Sequence, residues 1–188
     1  LSIDQILARL DDRFRLLTGG ARRGGGRQQT LRATLDWSYG LLGEEERALF
    51  ARLGVFAGSW TLEAAEAVCS GGTLDKWAIL DILTALVDRS LVIADPVGSG
   101  IRYRMLESIR QYALELFDQL PDATALRDSH RAYFVEMARR AEPELTGPRM
   151  DRWMDRFERE HENFRLALAW SATSPEPARA ILEVASPL

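Results

Sequence analysis

Residues 90–112, SLVIADPVGSGIRYRMLESIRQY, constrain the fold more than any other stretch. Leu91-Val92-Ile93-Ala94 is apolar and rich in β-branched residues, which predicts a strand. Asp95-Pro96-Val97-Gly98-Ser99-Gly100 reads as a turn, because Pro fixes φ and Gly supplies positive φ. Ile101-Arg102-Tyr103-Arg104-Met105 alternates apolar and basic, so a second strand is expected with one face buried and one wet. Leu106, Ile109, Ala113, Leu116, Phe117 and Leu120 then recur at helical spacing. A single hairpin is not stable alone in water. It must lean on helices, and a hairpin appended to a small helical bundle is a winged helix.

The flanking sequence is helical in pattern. Ile3, Ile6, Leu7, Leu10, Phe14 and Leu17 place one amphipathic helix over 1–18. Residues 19–26 form a Gly-rich linker that, with Arg22, Arg23 and Arg27 in and beside it, offers a solvated connector or a phosphate contact. A helix is predicted over 30–42, and Glu44-Glu45-Glu46 opens the next, where the helix dipole favours acids. Thr61 is the expected N-cap of a short helix. Leu49, Phe50 and Leu53 are a buried face, and Trp37, Phe50, Phe56 and Trp77 are expected in the core.

Residues 74–89 precede the hairpin, the place of the DNA-reading helix in many winged helices. They are apolar almost all round and carry three acids against two bases. Base reading needs Arg, Lys, Asn or Gln, and phosphate contacts need positive charge. A helix pressed between protein surfaces is expected instead. Beyond Pro121, two helical patterns bounded by Pro143 and Pro148 look like the opening of an α-solenoid, with Trp153, Met154, Phe157, Phe164, Leu168 and His161 inward. Glu158 to Glu162 read as a solvated face. The expected architecture is therefore mainly α. A winged-helix domain with one β-hairpin lies between an N-terminal helix and a C-terminal α-helical, TPR- or solenoid-like segment.

Composition narrows the function. A net charge of −4 argues against a chain built to coat nucleic acid. One cysteine, Cys69, permits no internal disulfide and suits a reducing compartment, so a cytoplasmic location is expected. No apolar run reaches the length of a membrane span. The absence of an initial Met and of a terminating pattern reads as a piece of a longer protein. The only lysine, Lys76, follows Asp75, so no phosphate-binding P-loop is present. His130 and His161 have no cysteine near them, and neither a metal site nor a catalytic constellation is expected.

The segments LRATLDWSYGLLGEEERALFARLGVFAGSWTLEAAEAVC, LDILTALVDRSLV, GIRYRMLESIRQYALE and EREHENFRLALAW, in that order, resemble the middle of bacterial STAND-type (NB-ARC-like) signal-transduction ATPases, in particular actinobacterial LuxR-type transcriptional regulators. The resemblance implies that 1–27 end the helical part of an ATPase module and its linker. It makes 28–120 the winged helix and 121–188 the start of a repeat domain. The implied winged helix does not read DNA. It contacts the ATPase core and effector domain of the same chain, and an inducer or partner protein acts at the repeats. ATP or ADP is then expected for the longer protein and no cofactor for this part. The family's Met-His-Asp nucleotide sensor aligns with Met105, Leu106 and Glu107. Leu106 donates no hydrogen bond, and is either plain core or a regulatory position.

Arg102 and Arg104 are left as interdomain contact candidates. Their face is expected outside the core, against a carboxylate, and charge reversal at both is expected to spare the fold. The alternatives are a DNA-binding winged helix, using those two arginines, and the regulatory segment of a cyclase or kinase that carries the same ATPase module.

Overall fold

The computed structural model describes residues 26–173 apart from residue 99, with side chains from residue 31 onward. The expected helix over 1–18 and the segment after Pro175 lie outside the described residues. The chain divides into two compact units, 1–42 and 43–188.

In the first unit, α1 spans Gly26–Gly40, longer at its start than the apolar pattern predicts. Leu35 is buried, whereas Trp37 is 68 % exposed, against expectation. Two residues along a helix turn the side chain about 200°, so Trp37 leaves the helix opposite Leu35.

The second unit begins with α2 (Glu44–Arg52), whose first turn carries Glu44, Glu45 and Glu46. The Gly43 N–H donates to Glu46 Oε2 at 2.7 Å, closing the start of the helix. A 3₁₀ turn, Leu53–Val55, follows. It presses so closely on a later helix that a Cβ at Gly54 would stand 2.7 Å from the Ala113 carbonyl oxygen. Strand β1 is only Ser59–Trp60. Thr61 caps α3 (Leu62–Cys69), accepting from the Ala64 N–H at 3.3 Å.

Next come a 3₁₀ turn, Lys76–Ala78, and α4 (Ile79–Asp88). Trp77 sits in that turn and is 81 % exposed, not core. The tighter turn breaks the helical phase counted from Leu74. Helix α4 ends in a Schellman motif: the Leu91 N–H reaches the Leu86 carbonyl at 3.0 Å and the Ser90 N–H that of Val87 at 2.8 Å. Ser90 takes the left-handed position, φ 58°, that glycine usually fills.

Strands β2 (Ile93–Val97) and β3 (Gly100–Arg104) form the hairpin. Asp95, Pro96 and Val97, expected in the turn, belong to β2 and pair with Arg102, Ile101 and Gly100. The sheet order β1-β3-β2 makes β2 an edge, the place in a sheet where a proline without an N–H is tolerated. β2 therefore runs on to Val97, and β3 resumes at Gly100. β1 adds a third strand to the expected hairpin, pairing Trp60 with Tyr103. Its two residues were too short a run to be seen as a strand. Helix α5 (Glu107–Phe117) completes the order helix, strand, helix, helix, strand, strand, helix of a winged helix.

Two long helices follow, α6 (Ala123–Ala141) and α7 (Met150–Ser171). They pack on each other, α6 also touches α3, and α7 reaches β1. Phe50, Phe56, Trp60, Phe117 and Phe134 are fully buried. Phe56 stacks on Trp60 at 5.5 Å between ring centres, and Phe134 meets Phe164 edge-on at 5.2 Å. With His130 between Phe56 and Phe134, ring contacts run unbroken from Trp60 on β1 to Phe164 on α7.

Candidate functional site

A dense polar cluster lies where the sheet meets α7. Arg102 on β3 donates from Nη1 to Glu160 Oε1 at 2.7 Å, from Nε to Ser59 Oγ at 2.8 Å and from Nη2 to the Ser59 carbonyl at 2.9 Å. Asn163, one turn along α7, donates to the same carbonyl at 2.9 Å and to Glu160 Oε2 at 3.0 Å. Its Oδ1 accepts from the Ala57 N–H at 2.9 Å. Arg102 is 8 % exposed, Glu160 1 % and Asn163 0 %. The expectation that the Arg102 face stays outside the core is corrected. Burial is tolerable because each guanidinium nitrogen donates to an oxygen and the carboxylate has two donors.

The reading of residues 158–162 as solvated is corrected for Glu160. It belongs to the stripe Glu160, Asn163, Phe164, Ala167 and Ser171, which faces inward. That three-and-four spacing was legible, had polar residues been allowed on it. His161 and Met154 point out instead, the His161 side chain 68 % exposed and Met154 50 %.

Arg104 pairs with Asp95 on β2 at 2.6 Å, both side chains about two-fifths exposed. A second buried arginine, Arg52, went unnoticed in the sequence. It donates to the carbonyls of Cys69 at 2.7 Å and Gly71 at 2.8 Å, and to Asp122 Oδ2 at 2.9 Å. It thereby fixes the end of α3 against the entry to α6. Beside it, burial pushes the Cys69 thiol up to about 12, so it stays protonated.

His130 on α6 lies between Phe56 and Phe134, at 5.3 and 4.7 Å between ring centres. Burial pushes its imidazole down to about 4, while a side-chain hydrogen bond with Asn163 pulls weakly the other way. Its Nε2 is buried without a hydrogen-bond partner. It is therefore neutral at pH 7 and packs as an aromatic.

The three sensor-like positions part company. Met105 is buried at 6 %, whereas Leu106 is 50 % exposed and stands just before the first turn of α5. Leu106 is thus not core. The Arg110 guanidinium holds both Glu107 oxygens, at 2.9 and 3.0 Å, and Gln111 donates at 2.9 Å. Burial works against the ionised carboxyl, but these hydrogen bonds and the Arg110 charge outweigh it and hold Glu107 below the usual range.

The face of α4 turned to solvent carries Leu80, Asp81, Thr84 and Asp88. It has two acids and no base, and the Thr84 hydroxyl already donates to the Leu80 carbonyl at 2.9 Å. Among the described residues, no group of three His, Cys, Asp or Glu is placed to hold a metal ion. No described helix is long and apolar enough to cross a membrane.

Helix, β1, paired helices and hairpin thus fall in one order over one stretch of chain. Residues 42–118 match the winged helix-turn-helix domain model. The chain is also 44 % identical, over 184 residues, to a Mycobacterium tuberculosis protein named "Putative HTH-type transcriptional regulator". A Mycobacterium bovis protein of the same name matches equally. These alignments take in 98 % of this chain but 20 % of each relative, so the chain spans about a fifth of their length. A further M. tuberculosis protein, named only as uncharacterized, is 40 % identical over 137 residues, 72 % of this chain and 35 % of its own. No solved structure matches. The winged helix occupies the middle of the chain, and α6 and α7 lie after the matched stretch.

Proposed function

We propose that this chain is a regulatory segment of a transcriptional regulator, in which the winged helix makes protein contacts and does not read DNA. The carrying observation is the solvent face of α4, where DNA-reading winged helices place bases. It offers Asp81 and Asp88 and a threonine hydroxyl already engaged, while the cations that flank it, Lys76 and Arg89, pair with Glu66 at 3.6 Å and Glu46 at 3.3 Å. Major-groove recognition and phosphate contacts need the opposite. The wing adds nothing, since Arg102 is committed to Glu160 and Arg104 to Asp95.

The names of the relatives support a role in transcription. The order of the sequence motifs supports a place between a STAND-type ATPase core and a helical repeat domain. In this reading ATP or ADP binds elsewhere in the longer protein, and Leu106 and Glu107 sit at the contact with that core. The Arg102–Glu160 joint then ties the winged helix to α7 as one body, so a signal received at the helices moves the wing.

The reading is tested by mobility shift of the chain with random-sequence duplex DNA over a salt series. No complex at micromolar protein is expected. A complex that weakens steeply with salt, as phosphate contacts do, would favour the second reading, a DNA-binding module, which the relatives' names also support.

A further inference from the structure

Between the hairpin and the first half of α7 runs a groove of about 560 Å³. Arg152, Arg156 and Arg159 of α7 line one side, and Leu80 of α4 with Val97 and Ile101 of the wing line the other. We infer that this groove docks an acidic amphipathic helix of a protein partner.

The basic wall is organised. The three arginines stand at i, i+4 and i+7, which places them within about 60° of arc and along roughly 10 Å of helix. Asp151, Asp155, Glu158 and Glu162 fall on a different arc of the same helix, so α7 separates its charges although the whole chain is net acidic. The arginines are not neutralised from within. Arg152 has no ion pair among the described residues, Arg159 approaches Asp155 only to 3.9 Å, and Arg156 lies over the Trp153 ring at 5.2 Å. Glu63 is the one acid in the lining and leaves the groove positive.

The opposite wall selects the occupant. Leu80 is 45 % exposed and Ile101 53 %, large apolar surface that gains nothing from a phosphate backbone. A duplex would satisfy the arginines and strand that wall beside Asp81. A helix with carboxylates at the matching spacing and leucines on the adjoining face satisfies both walls, the groove mode of peptide recognition. Arginine with apolar neighbours is also the composition enriched at protein interfaces.

The proposal rests on reading the winged helix as a protein-contact module, and the test separates the two. The probes are a labelled synthetic helix with Glu at i, i+4 and i+7 and Leu alongside, a scrambled peptide of equal composition, and a labelled random-sequence duplex. The patterned peptide is expected to bind about fivefold more tightly than the scrambled one. Arg152→Glu with Arg156→Glu and Arg159→Glu should weaken it about tenfold. Ile101→Asp should also weaken it, and serves as the second variant if the triple fails to fold. Equal binding of both peptides, or of neither, overturns the docking site and leaves the regulatory reading standing. Displacement of the patterned peptide by the duplex overturns both.

Discussion

Arg102 and Arg104 stand two residues apart on β3, and each holds a carboxylate, at 2.7 and 2.6 Å. Glu160, the partner of Arg102, comes from a helix 58 residues away and its side chain is 2 % exposed. Asp95, the partner of Arg104, comes from the adjacent strand of the same hairpin and is 43 % exposed. Distance is the same and consequence is not. In water-screened surroundings an ion pair contributes little. In a dry joint the pair costs desolvation, but removing one member strands the other as a buried charge. The inner pair therefore acts less as a source of stability than as a demand for one arrangement of wing and α7.

The first way to break this comparison is Arg102→Ala, which leaves the Glu160 carboxylate and the Ser59 carbonyl short of donors. A loss of about 3–5 kcal/mol is expected, read by chemical denaturation. Charge reversal at Arg102 should be at least as damaging, since it sets Glu against Glu160. The sequence expectation that reversal spares the fold is thus replaced. A loss under about 1 kcal/mol would mean that the joint is wet in solution.

The second concerns His130, whose ring rests against the same joint through Asn163. Its folded pKa lies near 4, below the ordinary 6.5. Between those values the unfolded chain binds a proton that the folded chain refuses, so stability is present above pH 6.5 and falls as pH drops towards 4. At about 1.4 kcal/mol per unit the loss approaches roughly 3 kcal/mol by pH 4. His130→Phe keeps the ring contacts with Phe56 and Phe134 and removes the titration. Denaturation at pH 7 and pH 4.5 should show a smaller acid loss in the variant. Equal losses would show that carboxylates alone carry the acid sensitivity.

What the sequence made legible follows the range of each interaction. Thr61 as a cap, Glu44 to Glu46 in a first turn and the helix after the wing depend on neighbours within a few residues, and local pattern finds them. The buried face Leu49, Phe50 and Leu53 was equally clear from its spacing. Trp37 and Trp77 are large and apolar, but the helix turns one away from Leu35 and the 3₁₀ turn shifts the other out of phase with Leu74, which leaves both exposed. β1 consists of two residues whose strand character comes only from pairing with β3. Glu160, Asn163 and Arg52 are polar residues on inward faces, and polarity hid the very spacing that marks a face as buried. Their partners lie many residues away, where no local pattern reaches.

The smallest expected effect sharpens the comparison from the other side. Arg104→Ala removes a close ion pair, one that runs diagonally across the hairpin, since Asp95 stands opposite Arg102 and Arg104 opposite Ile93. By distance alone it should matter as much as Arg102→Ala. Both its side chains remain in contact with water, so the freed Asp95 is simply rehydrated and no charge is left in a dry site. The expected loss is about 0–1 kcal/mol, and it should shrink further in molar salt, where the screening length falls to about 3 Å. The same denaturation measurement serves, made at low and high salt. Should Arg104→Ala cost more than about 2 kcal/mol at both, exposure would not be what separates the two arginines. The rigid coupling assigned to the Arg102 joint would then have to be shared across the whole strand.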